Sequence, residues 1–177
     1  MAQPDPASIA PLLLEAARLK QLDRAGWRRR GLHPVESVAA HSWGVAWLVT
    51  LLLPPELDRA KALTYAVLHD LAEVRVGDLT PHDGVAAATK AELEARAMTG
   101  LLGAVDPGLL TAWHQYEAKA DAEARFVHQL DRLDMAVQAA VYRDAHDVEL
   151  DEFFRSAAAV ISDPRLRGIL EALQGPR

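Results

Sequence analysis

Apolar residues recur along this chain at every third or fourth position, the spacing that places them on one face of an α-helix. The clearest stripe consists of Val38, His41, Val45, Leu48 and Leu52. Ser37 precedes this stripe as a predicted N-cap, and Pro54-Pro55 ends it. The alternating pattern of a half-buried strand is nearly absent. The sequence therefore predicts an all-α protein, a compact helical bundle with one core.

Capping residues, glycines and prolines mark the ends of the other predicted helices. Besides the helix after Ser37, helices are predicted at about 8–21, 58–74, 89–102, 121–142, 151–161 and 164–173, and one more begins at Asp106-Pro107. Asp58, Thr89 and Asp121 are the expected N-caps of three of them. Loops are predicted at about 23–34, which is rich in Gly and Arg, and at 80–84.

Composition narrows the classes of function that this bundle can have. The chain has no cysteine, which excludes disulfides, thiolate zinc sites and cysteine nucleophiles. With 25 acidic and 19 basic side chains and a net charge of -6, it is a poor candidate for binding nucleic acid. The first ten residues do not form a signal peptide, and the longest apolar stretch is too short to span a membrane. The expected location is the cytoplasm, without membrane attachment.

Three His-Asp dipeptides occur, and their contexts differ. His82-Asp83 falls in a Pro/Gly loop, and His146-Asp147 follows the end of a helix among charged residues. Only His69-Asp70 is embedded in an apolar helical segment, where an imidazole and a carboxylate are costly to bury unless they are paired or bind a cation. His41 also lies on an apolar stripe. Taken alone, it would more often be a core histidine satisfied by a hydrogen bond.

Asp131 lies in the middle of a third predicted helix, and by itself it could be an ordinary salt-bridged carboxylate. Asp134 is three residues further on, so one of these two could simply be a solvated or capping charge. Together, His41, His69, Asp70 and Asp131 offer two imidazoles and two carboxylates from three helices. That set suits a divalent manganese, cobalt, iron, nickel or zinc ion and leaves room for water and a substrate oxygen.

Four further residues are candidates for chemistry beside such a metal. Glu73 shares a helical face with His69 and could exchange protons with a water molecule, although a surface glutamate is the simpler interpretation. Asp78 follows a helix-breaking glycine and could reach a ligand or only cap the turn. Arg24 could bind a phosphate, or belong to a solvated basic run. Trp27 could form a pocket wall, or belong to the core.

With these residues assembled, the sequence resembles the HD-domain superfamily of metal-dependent phosphohydrolases, whose order is His, His-Asp and a distal Asp. More narrowly, it is similar to the 5'-deoxynucleotidase branch. The matching segments are LKQLDRAGW, HPVESVAAHSWGVA, LHDLAEVRVGDLTP, EARFVHQLDRLDMAVQA and DEFFRSAAAVISDPRLRGIL. The resemblance implies that residues 1–177 form a single HD domain, with a metal-site core at about 37–143 and C-terminal helices at about 151–173.

The resemblance also implies roles for individual residues. It places the metal ligands at His41, His69, Asp70 and Asp131. It implies a catalytic carboxylate at Glu73, a phosphate-binding arginine at Arg24 and a second acidic group near the substrate at Asp78. It further implies one divalent transition metal, a homodimer, and hydrolysis of (deoxy)ribonucleoside 5'-monophosphates.

Some positions depart from the family pattern. Ala40 stands where relatives usually have an acidic residue, which removes a possible partner of the neighbouring histidine. Gln115 and His128 replace a common Glu and a common Lys, and the Arg24 loop reads LDRAGW rather than the Pro-Arg form. Two alternatives therefore stay open. The substrate could be a cyclic, signalling or triphosphate nucleotide, or the chain could be a non-catalytic nucleotide sensor with a structural metal.

Overall fold

The computed structural model describes residues 5–146 and 148–175, and every helix or strand segment within those ranges is helical. The α-helices are α1 (Pro6–Ala16), α2 (Ala25–Arg29), α3 (Val38–Leu52), α4 (Arg59–Leu68), α5 (Glu73–Val76), α6 (Ala87–Leu102), α7 (Pro107–Glu117), α8 (Ala122–Ala145), α9 (Asp151–Val160) and α10 (Pro164–Gln174). Short 3-10 turns occur at Ala17–Lys20 and Pro81–Asp83, and one isolated β-bridge joins Asp23 to Ser37. The all-α prediction is confirmed.

Four of the five predicted capping residues lie at helix starts. In each case the side chain accepts a hydrogen bond from a backbone N–H of the first turn, as found at Ser37, Asp58, Asp106 and Asp121. Thr89 is the exception, because α6 begins two residues earlier and Thr89 lies inside it. Ala86, which precedes α6, offers no side-chain cap, so no capping residue marks this helix start in the sequence.

The predicted helix at 58–74 is interrupted where the His-Asp motif lies. α4 ends at Leu68, and the four residues before α5 form tight turns. Here the hydrogen bonds close three residues back instead of four, from Leu71 N to Leu68 O at 3.0 Å and from Glu73 N to Asp70 O at 3.1 Å. Gly77 then ends α5 with a positive φ of 82°. The break changes the directions in which Asp70 and Glu73 point.

The core lies on both sides of the histidines. α8 packs against α3, α4, α9 and α10, and its buried face belongs to the larger of two hydrophobic clusters. On α3, Val45 belongs to this larger cluster and Val38 to the smaller one, with His41 between them. His69 directly follows Leu68 of the smaller cluster. The two imidazoles are therefore fixed where the two parts of the core meet.

None of the helices within the described ranges is both long and apolar enough to cross a lipid bilayer.

Candidate metal centre and cleft

The buried imidazoles of His41 and His69 both direct Nε2 towards the space between them. His41 Nδ1 lies 2.7 Å from Asp134 Oδ2, and His69 Nδ1 lies 2.8 Å from the carbonyl oxygen of Ala66. Each partner is an acceptor, so each Nδ1 carries a proton and Nε2 is the atom that can bind a cation. The two Nε2 atoms are 3.3 Å apart. Two nitrogens bound to one zinc at about 2.0–2.1 Å with tetrahedral angles have a similar separation.

Two carboxylates complete this group. Asp131 Oδ1 lies 3.2 Å from His41 Nε2, and Asp70 Oδ2 lies 3.1 Å from His69 Nε2 and 3.7 Å from His41 Nε2. Ligand atoms of His41, His69 and Asp131 all lie within 4.8 Å of one another. The structure thus brings together all four residues of the predicted set. Imidazole nitrogens with carboxylate oxygens fit a divalent transition metal.

The charges of the group point to the same conclusion. Burial and the nearby Arg24 oppose charge on His41, but its hydrogen bonds to Asp131 and Asp134 raise its pKa to about 9. Burial alone would favour neutral carboxyls, yet the neighbouring cationic groups hold the pKa values of Asp70 and Asp131 well below their usual range. Anionic carboxylates and a strongly basic imidazole therefore share one buried space. A divalent cation can replace the proton that neutralises them.

Asp134 contacts the metal group, although the sequence indicates only a possible solvated or capping charge there. It is buried and hydrogen-bonds to His41, as described above. Gly44, one turn after His41 on α3, allows this approach. A Cβ atom there would overlap the Asp134 carboxylate and lie 2.8 Å from its Cγ. The available signal was its spacing, since Asp134 is one turn after Asp131 and shares its helical face.

We expect Asp134→Asn to weaken metal binding by about 10–100-fold, because the carboxylate orients His41 and increases its basicity. Titration of the metal-free protein with Co²⁺, followed by visible absorption, measures the change. Asp151→Asn on the exposed start of α9 is the matched control. An unchanged Co²⁺ affinity in Asp134→Asn would mean that this contact does not influence the site.

Glu73 is the first residue of α5 and is only 4 % exposed. Its Oε2 has no hydrogen-bond partner among the described residues. Burial, reinforced by the charges of Asp70 and Asp78, raises the pKa of Glu73 to about 10. A divalent cation nearby would favour the charged form. A buried carboxylate with an unpaired oxygen beside the metal group is suited to accept a proton from a ligand.

Arg24 and Asp78 are joined through the start of α2. Arg24 Nη1 lies 3.3 Å from Asp70 Oδ2. Burial opposes its charge, but four surrounding carboxylates hold its pKa above the usual value. Asp78 Oδ2 accepts a hydrogen bond from the backbone N–H of Ala25 at 2.7 Å, so it fixes the residue that follows Arg24. Both side chains line the cleft beside the metal group, and Asp78 hydrogen-bonds to the backbone of this loop.

A cleft of about 780 Å³ opens over the metal group. All four predicted accessory residues line it, namely Arg24, Trp27, Glu73 and Asp78. It is also lined by residues that the sequence did not single out, among them Lys90, Arg132, Met135 and Phe153. Trp27 belongs both to the core and to the wall of the cleft. It is 1 % exposed and packs against Phe153, and its Nε1 donates to Glu36 Oε1 at 2.8 Å, yet it also forms part of the cleft wall.

The other His-Asp dipeptides play different parts. Asp83 closes the Pro81–Asp83 turn, where its Oδ2 accepts hydrogen bonds from Thr80 N and Thr80 Oγ1, both at 2.7 Å. His82 lies in the wall of the cleft. His146 follows the end of α8, and Asp147 lies outside the described residues. Within the described ranges, His69-Asp70 is the one His-Asp dipeptide that contributes residues to the metal group.

An all-α fold with a buried His and Asp cluster beneath an open cleft defines a class of helical, metal-dependent proteins. Comparison with known families supports this class, because residues 16–173 match the family model described as HD domain. The chain belongs to the HD-domain family. Its metal dependence follows from that membership together with the ligand cluster.

Named relatives and solved structures cover nearly the whole chain. It is 32 % identical to 5'-deoxynucleotidase HDDC2 from Danio rerio over 90 % of this chain and 83 % of the relative. It is 33 % identical to 5'-deoxynucleotidase hdd1 from Schizosaccharomyces pombe over 92 % of this chain and 87 % of the relative. A conserved hypothetical protein from Pyrococcus furiosus has a TM-score of 0.80 at 31 % identity, covering 93 % of this chain and 98 % of that chain. A predicted metal-dependent phosphohydrolase from Magnetospirillum magnetotacticum has a TM-score of 0.71 at 26 % identity, covering 94 % and 92 %.

Proposed function

We propose that this protein is a metal-dependent phosphohydrolase that removes the 5'-phosphate from (deoxy)ribonucleoside 5'-monophosphates. One observation carries the proposal: the guanidinium of Arg24 and the unpaired carboxylate of Glu73 line the same cleft as the metal group. A phosphate-binding cation and a proton acceptor are the two groups that hydrolysis of a phosphomonoester needs beside a metal. The relatives named 5'-deoxynucleotidases support the substrate class.

In this proposal His41, His69, Asp70 and Asp131 hold one divalent transition metal. When bound, the metal lowers the pKa of a water molecule from about 15.7 towards roughly 7 and withdraws charge from a phosphate oxygen. Glu73 accepts a proton from the attacking water and passes it to the leaving 5'-oxygen as the phosphorus–oxygen bond breaks. The products are a nucleoside and inorganic phosphate, and no covalent enzyme intermediate is required.

The remaining predicted residues act by positioning. Arg24 binds a second phosphate oxygen, and its guanidinium is free to do so once Asp70 is engaged by the metal. Asp78 holds the backbone at Ala25, and so keeps Arg24 directed into the cleft. Trp27 is held by its contacts with Phe153 and Glu36 and forms part of the cleft wall beside the nucleoside.

A structural metal in a nucleotide sensor is the competing function. A purely structural site is closed by protein ligands and has no need for Glu73 or Arg24. The open cleft over the metal group and the unpaired Glu73 oxygen favour an enzyme instead.

The test is phosphate release from metal-loaded protein, with paired deoxyribo- and ribonucleoside 5'-monophosphates as substrates. The 3'-monophosphates of the same nucleosides are the controls. Release from the 5'-compounds alone supports the proposal. Protein that holds metal but releases phosphate from none of them contradicts it, and cyclic and triphosphate nucleotides are then the next substrates to offer.

We also propose that the chain forms one HD domain, acts in the cytoplasm on small-molecule nucleotides without a nucleic-acid partner, and assembles as a homodimer. The dimer is supported by a stripe on α3 in which Trp43, Trp47 and Leu51 are 70 %, 50 % and 57 % exposed. These residues follow one another at intervals of four and so form one continuous apolar ridge.

We expect Trp47→Glu to shift the protein from dimer to monomer at micromolar concentration, because a charge would be buried in the interface. Sedimentation velocity measures the shift. Leu93→Glu introduces the same charge at an exposed apolar residue of α6 and is the control. A dimer that survives in Trp47→Glu would place the interface on another surface.

A further inference from the structure

Arg132 lines the cleft, but it is not part of the metal group and has no role in the proposed mechanism. It directly follows Asp131 on α8 and lines the cleft together with Met135, one turn later. Its Nε lies 3.6 Å from Asp131 Oδ2, while Asp131 Oδ1 faces His41 at 3.2 Å. One carboxylate therefore contacts the metal group with one oxygen and Arg132 with the other.

Arg132 makes weaker contacts with the protein than Arg30 and Lys90, two other cations of the cleft, do. Arg30 Nε donates to Glu152 Oε1 at 2.7 Å, and Lys90 Nζ donates to the carbonyl oxygen of Leu79 at 3.0 Å. Among the described residues, the guanidinium of Arg132 has the 3.6 Å ion pair and no hydrogen bond within 3.5 Å. Its donors are thus available to a ligand, and its side chain is 34 % exposed.

The carboxylates of the cleft make its cations important for binding an anionic ligand. The carboxylates of Asp70, Glu73, Asp78 and Asp131 line the cleft on the side of the metal group. A phosphomonoester dianion entering this space is repelled by ionised carboxylates and attracted by lining cations such as Arg24, Lys90 and Arg132, since charges in a partly buried cleft are weakly screened.

We infer that Arg132 binds the substrate's phosphate group from the α8 side, as a second guanidinium beside Arg24. Arg24 forms an ion pair with Asp70, and Arg132 forms one with Asp131, so each arginine contacts one of the two carboxylates of the metal group. A planar guanidinium can donate two hydrogen bonds to a phosphate, which makes arginine suitable at such a position. The ligand class is a phosphomonoester or inorganic phosphate. Phosphate binding by Arg132 is inferred from the cleft itself, and only the nucleoside part of the substrate rests on the proposed function.

The experiment compares Arg132→Gln, Arg132→Lys and the control Arg125→Gln, which changes an exposed arginine of the same helix. Each protein is loaded with Co²⁺, the occupancy is measured by visible absorption, and inorganic phosphate binding is measured by calorimetry at low phosphate concentration. Loss of one charge-assisted contact in Arg132→Gln should weaken phosphate binding about ten- to hundredfold. Arg132→Lys should recover part of this loss, and Arg125→Gln should bind phosphate as the unaltered protein does.

The possible outcomes separate a binding role from a structural one. If Arg132 only supports Asp131, Arg132→Gln loses Co²⁺ affinity while the metal-loaded fraction binds phosphate normally, and the inference is overturned. It is also overturned if neither affinity changes, or if the metal-loaded parent protein binds no phosphate. Weaker phosphate binding at full Co²⁺ occupancy supports it. A failure of the proposed function is a different result, namely no phosphate release from any 5'-monophosphate.

Discussion

Replacing His69 with alanine should abolish both metal binding and phosphate release. The imidazole supplies a nitrogen at the centre of the ligand cluster, and the backbone contact of its Nδ1 fixes that nitrogen's direction. Without the metal, the attacking water keeps a pKa near 15.7, so we expect turnover to fall by at least about 10³-fold. Metal content by mass spectrometry and phosphate release measure the two effects on the same sample.

The matched control is His114→Ala, which removes an exposed histidine from α7. Circular dichroism establishes that both variants are helical, so that loss of metal is not mistaken for loss of fold. A folded His69→Ala protein with one metal per chain and normal turnover would remove His69 from the metal site.

Replacing Glu73 with glutamine should have the second large effect, and it should separate turnover from metal binding. Glutamine keeps the shape of the side chain but cannot accept the proton of the attacking water, so phosphate release should fall by about 10²–10⁴-fold. The metal content should stay unchanged, because the ligand cluster consists of other residues. The thermal midpoint should not fall, because burial and the charges of Asp70 and Asp78 raise the pKa of Glu73 to about 10, so Glu73 has to take up a proton on folding at neutral pH and glutamine does not.

Glu92→Gln on the exposed face of α6 is the control for this substitution. If Glu73→Gln retains full turnover, Glu73 has no part in the proton transfer. If it loses the metal instead, Glu73 is a ligand, and the assignment of the metal site must be revised.

The fold could be predicted in large part because its signals are local. Helix starts follow from side chains such as Ser37 and Asp121, which bond to the backbone within their own first turn. The break between α4 and α5 could not be predicted, since the apolar pattern continues through it. α2 was also missed, because its five residues lie in a Gly/Arg-rich segment and are fixed by contacts such as the one from Asp78.

The metal group could be predicted for a similar reason, since His41 and His69-Asp70 are polar residues at positions that the helical pattern makes apolar. Asp134 and Arg132 carry no such mark. An acidic and a basic residue on a charged helix are ordinary in sequence, and their roles depend on how closely α8 approaches α3 and the cleft. That information is present only once the helices are packed.

The close approach at Gly44 makes this residue an exception to a common rule of protein stabilisation. Replacing a glycine inside a helix with alanine usually stabilises a protein by about 0.5–1 kcal/mol, because the unfolded chain loses conformational freedom. At Gly44 the added methyl group would occupy the space of the Asp134 carboxylate and displace it from His41. Engineering that replaces helical glycines to increase heat resistance would therefore damage the metal site here, and the loss of a buried hydrogen bond would offset the usual gain in stability.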